Sequence, residues 1–351
     1  MSATSFGPPA YIALALQSLC EAVNDCASVE AARERVMTSI ARMSREIAGS
    51  KAFIGDGVRL VVLPEYALTG FPMGETAAQW RAKAAFDAEG PEYAALAEIA
   101  VKQEIFLAGN AYETDPHFPE LYFQACFVIA PDGKTVLRYR RLVSMYAPSP
   151  YDVLDKYLDV YGEDALFPVA DTAIGRLAAI ASEEILYPEI ARCHAMKGAE
   201  VFIHPTSEAA SPLPTPKNIA KQARAIENIA YIVSANTGGM TGTPIPQNSA
   251  DRGSKIVDPR GLIICEAASG SSMCAYGEVD LALVRRLRHR SGMPNLFART
   301  PAALYTGEYA KAAIHPANTL MDGAGVTTPD RNFYKERQQR VIEALSKRGV
   351  I

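Results

Sequence analysis

Three polar residues each follow a segment whose sequence predicts a strand, and together they are candidates for a site of chemistry. Glu65 comes after VRLVVLP, Arg141 ends VLRYRR, and Ser182 comes after IGRLAAIA. A carboxylate that leaves a buried strand is costly unless it is paired or used. Ser182 lies between a strand and the first turn of a helix, where an α/β enzyme would place a nucleophile. Ligand sites of α/β sheets form at the carboxyl ends of strands, so all three positions are site candidates.

Each of the three residues also has a purely structural interpretation. Glu65 could cap a helix or form a salt bridge, and Arg141 could belong to a solvated basic cluster. Ser182 could be a helix N-cap or a turn hydroxyl. Taken singly, none of the three therefore supports a functional assignment.

These residues belong to a chain that alternates strand-like and helix-like segments almost throughout. We predict strands over 58–63, 105–108, 122–130, 135–139, 174–181, 201–204, 231–235, 255–257, 261–266 and 276–280. We predict helices over 29–48, 92–102, 188–197, 218–228 and 332–347. Between 142 and 173 the pattern fades, which predicts a long functional loop or lid.

The alternation indicates an α/β fold in a single large domain. We expect this domain to cover 11–284, with an N-terminal tail over 1–10. The C-terminal extension, 285–351, is expected to pack on the domain or in an oligomer interface.

Composition narrows the class of protein. The chain has 351 residues, a net charge of −4 and 21% charged residues, which gives no reason to expect nucleic acid or an anionic membrane as a partner. It has no apolar run long enough for a membrane span, and its first residues lack the order of a signal peptide. Six dispersed cysteines suit reduced thiols, and five scattered histidines show no zinc spacing. We therefore expect a cytoplasmic protein without a metal or another cofactor.

A series of ordered segments resembles the nitrilase (carbon–nitrogen hydrolase) superfamily from about residue 11 to about residue 305. The main segments are LPEYALTGFP, YRRL and IASEEILYPEIAR, and the further ones include GAE at 198–200, AIENIAYIVSAN at 225–236 and RTPAALY at 299–305. The resemblance implies an αββα sandwich that forms homo-oligomers, as dimers or larger assemblies. It also implies a small-molecule substrate and hydrolysis of amides, nitriles or carbamoyl compounds.

The same resemblance implies a catalytic triad of glutamate, lysine and cysteine. Glu65 matches the glutamate, which is the general base, and Glu184 matches an acidic residue two places after the nucleophile. Arg141 stands at the position of the lysine that stabilises the oxyanion, and Ser182 stands at the position of the cysteine. Arginine keeps the cation, but an alcohol needs a well-aligned base more than a thiol does.

These departures leave three hypotheses open. The first is an active hydrolase of an amide, ester or related acyl compound that uses an atypical set of Glu65, Arg141 and Ser182. The second is a pseudoenzyme that binds a small ligand or acts as an oligomeric scaffold. The third is an engineered Cys-to-Ser trap at position 182, against which Arg141 argues. Further residues expected to support or line the site are Glu183, Tyr146 and Tyr187, and the candidates for a second acid are Asp152, Asp155 and Glu163.

Overall fold

The computed structural model describes residues 8–211, 213–312, 314–323, 325–330 and 332–351. Residues 1–7 of the expected N-terminal tail lie outside this part of the chain. The strands are β1 (Tyr11–Ala15), β2 (Cys20–Glu21), β3 (Val58–Val62), β4 (Ala85–Phe86), β5 (Phe106–Glu113), β6 (Phe123–Ile129), β7 (Thr135–Arg140), β8 (Ala170–Thr172), β9 (Gly175–Ala179), β10 (Val201–Pro205), β11 (Tyr231–Ala235), β12 (Met240–Thr241), β13 (Lys255–Val257), β14 (Ile263–Glu266), β15 (Tyr276–Val279), β16 (Met321–Asp322) and β17 (Gly325–Val326). The helices are α1 (Val29–Ile54), α2 (Ala77–Ala84), α3 (Pro91–Gln103), α4 (Leu154–Tyr161), α5 (Pro188–Met196), α6 (Pro216–Asn228), α7 (Leu281–His289), α8 (Leu296–Arg299), α9 (Ala302–Lys311) and α10 (Phe333–Lys347).

Two mixed sheets form the centre of the molecule. The first has the order β15-β1-β3-β5-β6-β7, with β4 also paired to β5, and the second has the order β14-β13-β11-β10-β9-β8. The pairs β1–β3, β3–β5, β9–β10 and β10–β11 are parallel. Parallel neighbours bring the loops after their carboxyl ends to one edge of each sheet.

The side chains of each sheet alternate between two apolar layers, because successive residues of a strand point to opposite faces. One layer lies between the sheets and contains Ala13, Leu60 and Ile203. On the outer face of the first sheet, α1 and α3 cover Leu14 and Val61. On the outer face of the second sheet, α5 and α6 cover residues such as Phe202 and Ile232. The layers follow the order αββα, which confirms the sandwich that the family resemblance implied.

The segment 142–173, predicted as a long loop, contains regular structure. A 3₁₀ turn over Pro150–Val153 leads into α4, and β8 follows before β9. Helix α4 was missed because it has only eight residues and buries only Tyr157 fully, although Leu154, Tyr157 and Leu158 recur at helical spacing. The short α2 was missed for the same reason, since it buries only Trp80 and Ala84.

The C-terminal part of the chain packs against this same segment. The N–H of Leu320 donates to the carbonyl of Asp152 (2.9 Å), and Arg337 forms an ion pair with the Asp152 carboxylate. Leu320 and Phe333 join an apolar cluster with Tyr157. The boundary expected at 284/285 falls inside α7. Among the described residues, no helix has the combination of length and apolar character that crossing a bilayer requires.

Candidate functional site

Glu65 lies just beyond the carboxyl end of β3, and it is only 1% exposed. Its Oε1 accepts hydrogen bonds from Gln124 Nε2 (2.7 Å) and Arg141 Nη1 (3.4 Å). Its Oε2 accepts from the backbone N–H of Ser207 (3.0 Å), which follows β10 in the other sheet. The carboxylate thus links the edges of both sheets, and none of the hydrogen bonds of the described residues joins it to Ser182.

Arg141 is buried where the chain leaves β7. Its Nε donates to the Val143 carbonyl (2.7 Å), its Nη1 donates to Glu65 and to Gln124 Oε1 (2.8 Å), and its Nη2 pairs with Glu183. Burial by itself would lower the pKa of Arg141, but the Glu183 and Glu65 carboxylates outweigh burial and raise the pKa. These contacts engage four of the five N–H groups of the guanidinium, so one Nη2 N–H has no acceptor among the described residues.

Ser182 occupies a strained turn between β9 and α5. It begins a 3₁₀ turn, Ser182–Leu186, and its φ of 49° lies in the left-handed region that non-glycine residues seldom adopt. Such conformations cost about 1–3 kcal/mol and concentrate at functional sites. The side chain is only 3% exposed but faces a pocket.

His204 of β10 holds the main chain of Ser182. Its Nε2 lies 2.8 Å from the Ser182 carbonyl oxygen, and its Nδ1 lies 2.9 Å from Ser234 Oγ. A carbonyl can only accept, so Nε2 carries the proton and Nδ1 accepts from the Ser234 hydroxyl. Burial lowers the pKa of His204 to about 3, so the ring is neutral near pH 7.

Lys217 is a residue of the site that the sequence reasoning missed, as it also missed Gln124 and His204. Its Nζ donates to Ser182 Oγ (3.0 Å), to the Ser207 carbonyl (3.2 Å) and to Thr206 Oγ1 (3.5 Å). The side chain projects from the first turn of α6, where Thr215 is the N-cap and Pro216 the first helical residue. The predicted start of this helix at 218 left Lys217 in a loop. The sequence showed only that Lys217 follows the strand that became β10, and its contact with Ser182 results from the pairing of β10 with β9 in the folded chain.

Glu184 is fully buried and connects the turn at Ser182 to the end of β7. Its Oε1 accepts from the N–H groups of Leu142 (2.7 Å) and Val143 (3.0 Å). Its Oε2 accepts from the Tyr139 hydroxyl (2.7 Å) and from the Ala181 N–H (3.1 Å). Burial raises the pKa of Glu184. Glu184 therefore positions the residues on either side of the site and does not line the pocket.

The pocket has a volume of about 870 Å³ and runs from the buried site to the surface. Tyr146, which is 73% exposed, lines its outer part, whereas Tyr187 is outside the lining. The C-terminal segment contributes Thr328–Asp330 and Tyr334 to the wall. The remaining lining residues include Glu65, Tyr66, Phe71, Glu75, Tyr112, Tyr122, Gln124, Arg141, Ser182, Glu183, Ser207 and Lys217.

The three acids considered as a second acid lie away from the pocket lining. Asp152 is buried in its ion pair with Arg337, and Asp155 and Glu163 are exposed on the surface. In the part of the chain that the structure describes, no group of three or more histidine, cysteine or acidic side chains is arranged to hold a metal ion.

Comparison with known proteins relates this chain to several enzymes. The family model for carbon-nitrogen hydrolase matches residues 21–289. The chain is 28% identical over 212 residues to the Caenorhabditis elegans nitrilase and fragile histidine triad fusion protein NitFhit, which covers 60% of this chain and 46% of that protein. It is also 28% identical over 240 residues to a formamidase of Pseudomonas syringae, and this match covers 68% of this chain and 65% of that protein. The chain thus spans less than two thirds of the length of either relative.

Solved structures extend the comparison to the fold. Saccharomyces cerevisiae Nit3, a member of branch 10 of the nitrilase superfamily, superposes with a TM-score of 0.63 at 21% identity. The superposition covers 82% of this chain and 96% of that chain. At this level of identity, the likeness concerns the fold.

Proposed function

This chain belongs to the carbon–nitrogen hydrolase family, as its sequence motifs predicted, and we propose that it hydrolyses an amide or a related acyl compound. The observation that carries the proposal is that Glu65, Arg141 and Ser182 line a single pocket. They come from separate segments, after β3, β7 and β9, that are distant in the sequence. The pocket therefore holds a hydroxyl, a cation and a carboxylate, and the cation is hydrogen-bonded to the carboxylate.

In the proposed reaction, Ser182 Oγ attacks the carbonyl carbon of the substrate, the hydroxyl proton passes to a base in the pocket that later returns it to the leaving amine, and the carbonyl electron pair moves to the carbonyl oxygen. The unengaged Nη2 N–H of Arg141 donates to this oxyanion. Collapse of the tetrahedral intermediate expels the amine, which takes up a proton, and leaves an acyl group on Ser182. Water then attacks the acyl group, releases the carboxylic acid and restores the hydroxyl.

The pocket favours a substrate larger than formamide. Its volume of about 870 Å³ lies within the range of about 300–1,000 Å³ typical of small-molecule sites, and formamide would fill a small part of it. Aromatic side chains such as Tyr66, Phe71 and Tyr122 line it and offer apolar surface to an acyl group. We propose a small amide whose acyl part carries an apolar or aromatic group.

The test is turnover and acyl-adduct formation with a graded series of amides from formamide to benzamide and phenylacetamide, together with the matching phenyl esters. Intact mass spectrometry is expected to show an acyl adduct that is absent in Ser182→Ala. Glu65→Gln is expected to lower turnover, because it loses an acceptor for Ser207 or for Arg141. Formamide as the best substrate would contradict the proposed size of the acyl group.

A second candidate function is ligand binding without turnover. The observation that favours it is that Glu65 already accepts three hydrogen bonds and that Ser182 Oγ accepts one from Lys217. In that case the wild type would show neither adduct nor turnover, whereas calorimetry would still detect binding of amides or carboxylates. Activity that appears only in the Ser182→Cys, Arg141→Lys double variant would exclude turnover by Ser182.

We also propose that the protein acts in the cytoplasm as a homo-oligomer. Exposed apolar residues on α5 and α6, which flank the second sheet, support association; they include Met196, Ile219 and Ile226. Light scattering coupled to size-exclusion chromatography tests this proposal. A mass equal to that of one chain, 37.8 kDa, at micromolar concentration would contradict it.

A further inference from the structure

Ser182 has one contact that bears directly on how it could become a nucleophile. Lys217 Nζ lies 3.0 Å from Ser182 Oγ, which is within the distance at which a proton can pass between the two atoms. We infer that Lys217 takes the proton from Ser182 during attack, so that Ser182 and Lys217 act as a nucleophile–base pair. This inference rests on the hydrolysis proposed above.

The other titratable groups around Ser182 are already engaged elsewhere. Both oxygens of Glu65 accept hydrogen bonds from groups other than Ser182. His204 contacts the carbonyl of Ser182 and not its hydroxyl. Arg141 cannot serve as a base, because a guanidinium stays protonated in proteins. Among the described residues, Lys217 is the titratable side chain that hydrogen-bonds Ser182 Oγ.

The surroundings of Lys217 suit a base better than a structural cation. Its three hydrogen-bond partners, Ser182 Oγ, the Ser207 carbonyl and Thr206 Oγ1, are neutral. In the described part of the chain, none of the ion pairs includes Lys217, whereas nearby Lys221 pairs with Glu208. A neutral amine keeps the same geometry, since it can donate to the Ser207 carbonyl and Thr206 while it accepts from the freely rotating Ser182 hydroxyl.

The chemistry balances with these two residues. As Ser182 Oγ bonds to the acyl carbon, its proton moves to the lone pair of Lys217 Nζ, and the carbonyl electrons move to oxygen. When the intermediate collapses, the ammonium of Lys217 returns this proton to the leaving amine. Lys217 then accepts a proton from the attacking water, and it gives that proton to Ser182 Oγ as the carboxylic acid leaves. Lys217 and Ser182 end the cycle as they began it.

The pair also accounts for serine at this position. A thiol has an ordinary pKa of about 8.5 and ionises readily, whereas an alcohol needs an aligned base at the moment of attack. Arg141, which follows β7, supplies a positive charge but cannot accept the proton of the hydroxyl. The lysine at the start of α6 supplies the base from a different element, through the adjacency of β9 and β10.

The test uses a fluorophosphonate probe, which labels a nucleophilic serine and does not depend on the identity of the amide substrate. Labelling rates are measured for the wild type, Ser182→Ala, Lys217→Met, Lys217→Arg and Glu65→Gln, with Lys134→Met as the control. Lys134 lies in the β6–β7 turn and is 80% exposed, so its loss leaves the site intact. Urea unfolding of each variant checks that it is folded.

Lys217→Met is expected to label at least about 10²-fold more slowly than the wild type, the lower end of the usual range for a positioned base. Added ethylamine is expected to restore part of the rate in Lys217→Met, and more basic amines are expected to restore more. Lys217→Arg is expected to remain slow, because it restores the charge without a base. Glu65→Gln is expected to lose less labelling than Lys217→Met.

Each contrary result overturns a defined statement. Wild-type labelling of Ser182 together with equal labelling of Lys217→Met would overturn the nucleophile–base pair and leave the proposed hydrolysis standing. Full recovery in Lys217→Arg would also overturn it, since the cation alone would then suffice. No labelling of Ser182 in the folded wild type would overturn both proposals.

Discussion

Replacement of Glu184 by glutamine tests whether a buried carboxylate holds the active-site turn in place. Glu184 accepts four hydrogen bonds, two on each oxygen, from Leu142, Val143, Tyr139 and Ala181. Glutamine has one oxygen and one NH₂ group, so it can keep the two hydrogen bonds accepted by only one of the carboxylate oxygens. The least costly arrangement places its oxygen toward the Leu142 and Val143 N–H groups and its NH₂ toward Tyr139, whose hydroxyl can rotate to accept.

In that arrangement the Ala181 N–H faces another donor and loses its partner. A hydrogen bond to a charged group contributes about 1.5–3 kcal/mol, against about 0.5–1.5 kcal/mol for a neutral pair. The lost Ala181 bond removes about 1.5–3 kcal/mol, and the bonds to Leu142 and Val143 each weaken by about 1–1.5 kcal/mol, so the total is about 3.5–6 kcal/mol. We expect Glu184→Gln to lower the free energy of unfolding by this amount. Tyr139→Phe, which removes one bond to the same carboxylate, is expected to cost about 1.5–3 kcal/mol.

The assay is equilibrium urea unfolding at one fixed protein concentration, because association shifts apparent stability. The chain has a single tryptophan, Trp80, which is fully buried, so its fluorescence reports unfolding. The Glu184→Gln, Tyr139→Phe double variant is expected to lose less free energy of unfolding than the two single variants lose together, since both substitutions act on one carboxylate. A loss below about 1 kcal/mol for Glu184→Gln would refute the reasoning and indicate a carboxyl that is protonated in the folded state.

Three further predictions concern the site and the C-terminal segment. Burial lowers the pKa of His204 from 6.5 to about 3, so its neutral form stabilises the fold above pH 6.5, and this contribution is lost as the pH falls from about 6.5 to about 3. Unfolding at a series of pH values should therefore show a slope smaller by up to about 1.4 kcal/mol per pH unit in His204→Gln, and an unchanged slope would contradict the assignment. Because Ser182 has a φ of 49°, Ser182→Gly is expected to be more stable than Ser182→Ala by about 1 kcal/mol in urea unfolding, and the reverse order would argue against strain at this turn. Arg337→Met leaves the buried Asp152 without its ion pair, so limited proteolysis is expected to cleave near 314–351 faster while the sandwich stays intact; equal cleavage of wild type and variant would show that Arg337 does not anchor this segment.

The sequence by itself determined the elements whose patterns are strong and local. Ala32, Val36, Ile40, Met43 and Ile47 recur at helical spacing, and all five are buried in α1. The run that became β3 is apolar except for the exposed Arg59, because both faces of the sheet are covered. The same local reading located Glu65, Arg141 and Ser182 at strand ends, and Glu65 and Ser182 each follow a largely apolar run.

Only the tertiary structure decided how these residues are connected. The contact between Lys217 and Ser182 depends on the pairing of β10 with β9, and strand pairing is a long-range property that local spacing does not encode. The contacts of Glu184 also depend on tertiary structure. The N–H groups of Leu142 and Val143, which donate to its carboxylate, lie about 40 residues away in the chain. The C-terminal wall of the pocket lies further still from Ser182 in sequence. The periodicity of a sequence indicates which face of an element is buried, whereas packing decides which elements contact each other. The chemistry of this site depends on packing.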